Sequence, residues 1–149
     1  QSLQARDTVV ESGVAAVPVD ADAAGPLTPG NAYEFSIEAE PGRPSHYLSF
    51  VTMFVPSNDA FYALDGPEGL ALFGSGRSRI SGDITDHVEL WDTGTEINEE
   101  PGVGESQPMR QRGAGVGFVE RGTVVPMDHV NGYQYPDTDD VLRVRITPN

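Results

Sequence analysis

The chain has 149 residues, 23 acidic against nine basic, every basic one an Arg, for a formal net charge of −14 with no Cys, 17 Gly and 12 Pro. That charge disfavours sequence-independent binding to nucleic-acid phosphates or anionic lipid headgroups unless a cation intervenes. The lack of Cys excludes a disulfide framework, a thiolate zinc site and a cysteine nucleophile.

A chain of this length reads as one domain with a single core. The Lys-free, carboxylate-rich composition is the pattern of a salt-adapted, halophilic protein, since concentrated salt screens the self-repulsion. No run approaches the ~20 apolar residues that span a bilayer, and "QSLQARDTVVESG" lacks the basic start and apolar middle of a signal peptide. The expectation is a soluble chain. Frequent Gly and Pro break every helical period, while several short segments alternate apolar and polar residues, which predicts an all-β protein.

Taken in chain order, residues 2–19 carry a weak apolar pattern (Val9, Val10, Val14, Val17, Val19) and lead into the turn-rich "DADAAGPLTPG". Residues 1–30 are therefore read as an N-terminal arm or edge strand with a linker, and 31–149 as the domain. "YEFSIEA" alternates Tyr33, Phe35 and Ile37 against Glu34, Ser36 and Glu38, which predicts a half-buried strand. "EPGRPS" turns the chain, and "HYLSFVTMFV", His46 to Val55, reads as a long apolar strand forming a central hairpin with it. "PSNDAFYAL" opens with Pro56 and Ser57, whose hydroxyl suits the cap of one short helical turn.

"GLALF", "VELW", "GFVERGTVV" and "VLRVRIT" are further strand candidates, for a total of seven or eight. Turn signals at this spacing predict an antiparallel β-sandwich. Residues 98–117 show no periodicity and read as a long surface loop, a class that is usually functional or mobile.

The carboxylates of "LWDTGTEINEEPG" raise the functional question. Asp92 and Glu96 flank a Thr-Gly-Thr turn in which Gly94 permits a tight reversal, and Asp59 sits just past a strand end with Asn58 beside it. Ca²⁺ takes several carboxylate and carbonyl oxygens from loops of this kind. The competing reading is plain solvation, because in so acidic a chain most carboxylates only wet the surface. Glu99 and Glu100 are read that way, or as an outer shell.

"LSFVTMFVPSNDAFYAL" followed by "LWDTGTEINEEPG" resembles the spondin N-terminal (F-spondin) domain family, above all its prokaryotic members, in which a "VPSPDWF" type and a "WDAGTDSG" type motif stand in the same order. The likeness covers residues 33–147. It implies a C2-like, eight-stranded antiparallel β-sandwich, secreted or on the cell surface, with one Ca²⁺ held by Asp59, Asp92 and Glu96. Position 96 is Glu where the animal domains mostly carry Asp, "DAF" replaces "DWF", and the animal cysteines are missing. Animal ligands therefore transfer poorly.

Other features lead to plainer readings. Trp91, next to Leu90 in an alternating segment, is expected in the core. His46, His87 and His129 lack ligand spacing. "DADAAG" fails as a calcium loop because Ala24 stands where an oxygen donor is needed and Asn31 where a bidentate Glu is needed. "GAGVG" has no strand-to-helix context for nucleotide binding, and "FGSGRS" does not spell a nucleophile elbow. The sequence thus points to a non-catalytic, calcium-binding module for adhesion or extracellular recognition of a protein or glycan. The alternative is a structural subunit of an extracellular assembly whose arm, residues 2–19, pairs with a neighbour's sheet edge.

Overall fold

A computed structural model describes residues 8–42, 45–130 and 132–149. The chain forms two compact units, Gln1–Glu40 and Pro41–Asn149. The division falls beyond the expected linker, so "YEFSIEA" belongs to the first unit.

The described residues of the first unit contain no strand. Turns hold it: the Val19 amide donates to Ala32 O at 2.7 Å and Gly25 N to Ala16 O at 3.0 Å, while Tyr33 Oη donates to Gly25 O. Residues 33–39 are not the predicted strand. Phe35 is 57% exposed, and alternation alone does not make a strand where no neighbouring edge supplies hydrogen bonds. The hairpin expected between this segment and residues 46–55 is accordingly not seen. Of the arm, residues 2–7 lie outside the described residues.

The second unit is all-β and antiparallel, with almost no helix. Its strands are β1 (Tyr47–Leu48), β2 (Val51–Met53), β3 (Ala60–Leu64), β4 (Leu70–Ala71), β5 (Gly82–Asp83), β6 (Val88–Asp92), β7 (Val125–Pro126) and β8 (Arg145–Ile146). A four-stranded sheet of order β2-β3-β6-β7 is accompanied by the pairs β1-β4 and β5-β8. The α-turn Thr138–Val141 is four residues long.

The centre of the sheet is the β3-β6 pair, in which Ala60 stands opposite Asp92, Tyr62 opposite Leu90 and Leu64 opposite Val88. These residues are buried and their neighbours half-buried or exposed, the period-two pattern of a sheet with one covered face. Leu48, Phe54, Ile84 and Met127 complete the core. Phe54 meets Tyr62 edge-on, with ring centroids 5.7 Å apart. Each such side chain contributes about 1.5–3 kcal/mol on burial.

Several expectations fail within this unit. "HYLSFVTMFV" is not one long strand but is split into β1 and β2, which join different sheets. "AFYAL" forms β3 rather than a helical turn. Ser57 caps the turn of a β-hairpin instead, its Oγ donating to Phe54 O at 2.6 Å and accepting from Ala60 N at 3.0 Å. Trp91 is not in the core. It is half-buried on the opposite sheet face from Leu90, because successive strand residues point to opposite sides.

Candidate functional site

The β2-β3 turn and the segment after β6 come together because of the β3-β6 register. Ala60 pairs with Asp92, so Asp59 arrives beside Thr93 and the turn that follows it. Asp59 Oδ2 accepts four hydrogen bonds there: Thr93 Oγ1 at 2.7 Å, Thr95 Oγ1 at 2.8 Å, Glu96 N at 2.9 Å and Thr95 N at 3.0 Å. One carboxylate oxygen thereby organises the whole Thr-Gly-Thr turn. The other, Oδ1, is buried and has no hydrogen-bond partner among the described residues.

Asp92 is 2% exposed. Its Oδ1 accepts from Gly94 N and its Oδ2 from Asn98 Nδ2, both at 2.8 Å. Asn98 Oδ1 in turn accepts from Tyr135 Oη at 3.2 Å. Burial first, and then the nearby charges of Asp92 and Asp59, push the Tyr135 phenol up to about 12, so both carboxylates act on the same hydroxyl.

Glu96 is buried and forms an isolated bridge with Val119. Gly117 N donates to its Oε1 at 3.2 Å. A Cβ on Gly117 would overlap Glu96 Oε2, so only glycine admits the side chain this closely. Gly94, at φ +67°, lies against the backbone of Gly122 and Thr123, where a Cβ would come within 2.9 Å of three backbone atoms. The ladder continues as Gly122 N to Gly94 O, Glu120 N to Thr95 O and Ile97 N to Phe118 O.

Asn58 Nδ2 donates to Ile97 O at 3.0 Å, which leaves Asn58 Oδ1 buried and unpartnered beside the Asp59 turn. Glu99 departs from the solvated reading: it accepts from Ser106 N at 2.9 Å and from Ser106 Oγ at 3.0 Å, closing the loop on itself. Gln107, fully buried, ties the same loop to Glu100 O at 2.7 Å. Glu100 is exposed. Residues 98–117 thus form a loop, as expected, but one closed by its own polar contacts.

The three acids singled out by sequence are brought to one end of the sheet, around a single turn. They do not all aim at one point: among the described residues no group of three His, Asp or Glu side chains is arranged to hold a metal ion. What fits a cation is the donor set. Asn58 Oδ1 and Asp59 Oδ1 are buried acceptors without donors, and both oxygens of Asp92 keep a lone pair beyond the one hydrogen bond each accepts. Asn98, Thr93, Thr95 and Tyr135 complete the surroundings, and nothing in their sequence spacing marks them.

The second unit is thus an all-β antiparallel domain with a polar, acidic turn at one end of its main sheet. Compared with known protein families, with characterised proteins and with solved structures, the chain gives no match.

Proposed function

We propose that this chain is a secreted or cell-surface, non-catalytic module of spondin type, built as a C2-like eight-stranded β-sandwich, in which one Ca²⁺ stiffens the loops used for adhesion or recognition of an extracellular protein or glycan. The observation that carries the reading is the pair of buried, unpartnered acceptors, Asn58 Oδ1 and Asp59 Oδ1, on the turn that meets Asp92 and Glu96. Leaving such oxygens unpaired costs about 1–3 kcal/mol each, and a hard cation offsets that cost directly. Asp59, Asp92 and Glu96 are the ligands in this reading, with Asn58 as an added carbonyl donor. Bound there, Ca²⁺ supplies positive charge that holds the acids together.

Titration calorimetry of the chelator-stripped chain with CaCl₂ is the direct test. The expected result is a single-site heat that Asp92→Asn removes; no calcium heat in the parent overturns the reading.

A second reading, a structural subunit that exchanges its N-terminal arm, is supported by the exposure of Val10 (77%) and Val14 (93%) in the first unit. Deleting residues 1–30 would abolish assembly in that case and leave a recognition module intact.

A further inference from the structure

The two edges of the four-stranded sheet differ in kind. At β7 the edge carries Pro126, which has no N–H to offer and so discourages pairing with another chain. The β2 edge carries neither proline nor charge, and only its length of three residues limits pairing there. Among the described residues the strand pairs with β3 alone, and from Tyr47 to Asn58 the sequence holds no Asp, Glu or Arg. Val51 is 70% and Met53 46% exposed.

The register says which backbone groups this edge presents. Phe54 N donates to Ala60 O at 2.9 Å, and Thr52 stands opposite Tyr62 in the same register. Hydrogen-bonding residues alternate along an antiparallel strand, so Thr52 and Phe54 turn their amides toward β3 while those of Val51 and Met53 face outward. The Val51 and Met53 side chains, opposite Ala63 and Phe61, stand on the outer sheet face. There they line an open cleft of about 500 Å³ together with Asp59, Phe61, Thr93 and Thr95.

We propose that β2 is an interface between two copies of this chain, paired antiparallel about a two-fold axis through Thr52. Val51 of one copy then exchanges both N–H···O=C bonds with Met53 of the other, and Thr52 faces its symmetry mate as a non-hydrogen-bonded pair with Cα atoms about 4.5 Å apart. The two sheets become one continuous sheet, and the exposed Val51 and Met53 pack across the seam.

A second copy suits this edge better than a foreign partner for two reasons. The segment is self-complementary under the two-fold, supplying donor for acceptor and apolar side chain for apolar side chain. It is also uncharged in a chain of net charge −14, so it is where two copies approach with least repulsion. Asp59 and Asp65, at the two ends of β3, would stand opposite Asp65 and Asp59 of the other copy across three strand spacings, about 14 Å, still beyond the screening length of about 8 Å at physiological salt.

Sedimentation equilibrium of the full chain in dilute and in molar NaCl tests this, because residual repulsion makes the pairing salt-favoured. The expected result is a mass that doubles as salt and protein concentration rise, with Met53→Lys remaining monomeric under the same conditions. The parent has no Cys, so Thr52→Cys introduces the sole thiol, at a spacing a disulfide can bridge. It should cross-link at least tenfold faster than Glu89→Cys under mild oxidation. A monomer at every salt concentration, a dimer that Met53→Lys leaves intact, or equal cross-linking of the two cysteine variants would each overturn the proposal.

Discussion

Thr95 is held by a single oxygen of Asp59, which accepts both its amide, at 3.0 Å, and its hydroxyl, at 2.8 Å. Since the same oxygen also takes Thr93 Oγ1 and Glu96 N, the turn after β6 is pinned to the β2-β3 turn by protein groups alone. Asp59 therefore has a structural task separable from any cation. Asp59→Ala should lower stability by about 3 kcal/mol even in chelator, since hydrogen bonds to a charged group are worth roughly 1.5–3 kcal/mol each and do not add fully. The matching fall in Tm is about 6–12 °C. An unchanged Tm in chelator would show that other contacts hold the turn.

Gly94→Ala should be destabilising by about 2–4 kcal/mol, because left-handed strain and a backbone clash act together. The position has φ +67°, and the new methyl would meet the Gly122 carbonyl carbon at 2.8 Å. Urea melts of the variant would read the loss as a lower midpoint at constant slope.

High pH should weaken the fold through two phenols. Burial pushes Tyr62 up to about 12, and burial with the charges of Asp92 and Asp59 does the same for Tyr135. Both pKa values lie above the unfolded value near 10, so the stabilisation is complete below pH 10 and is lost as pH rises from about 10 to 12. In that window the unfolded state binds fewer protons, and stability falls by up to about 1.4 kcal/mol per pH unit for each tyrosine. Phenolate absorbance should show the Tyr62 and Tyr135 titrations of the folded chain delayed relative to those of the urea-unfolded chain, and Tyr62→Phe should shrink the pH slope.

Calcium should stabilise the folded chain by mass action, by about 2.7 kcal/mol at a hundredfold excess over Kd, with a matching rise in Tm that chelation reverses. Asp92→Asn is expected to abolish most of that chelator sensitivity. Its cost without calcium is smaller, since an Asn Oδ1 still accepts Gly94 N, while the Asn98 amide must turn to avoid donor facing donor. A variant as chelator-sensitive as its parent would remove Asp92 from the ligand set.

With metal content held fixed, Tm should climb between dilute and molar NaCl, because screening relieves the self-repulsion of a −14 chain. Thermal scans across that range check it, and a flat response is the contrary outcome.

Local patterning carried the class of the fold. Gly and Pro frequency excluded long helices, and the alternation in "VELW" matches β6 directly. It also put Asp59 just past a strand end and Asp92 and Glu96 on either side of a Thr-Gly-Thr turn, because Asn and Gly beside acids at a strand end signal a reversal. Where alternation stood without a partner, at residues 33–39, no strand formed. Where a turn signal preceded an apolar run, at "PSNDAFYAL", the helical reading lost to a strand: Ser57 serves either element through the same hydroxyl, and only the neighbouring β6 decides between them.

The tertiary structure alone decided that Asp59 and Thr95, 36 positions apart, share a hydrogen bond, and that Glu99 closes a loop onto Ser106 instead of facing water. It decided too that Trp91 lies on the half-buried face while Asp92, one residue on, enters the covered one. The reason is register. A one-residue slip of β3 against β6 would exchange the faces and move Asp59 away from its four donors, and that register is set by which side chains pack together, Tyr62 over Leu90 and Leu64 over Val88, a choice made by the whole core and written in no single segment.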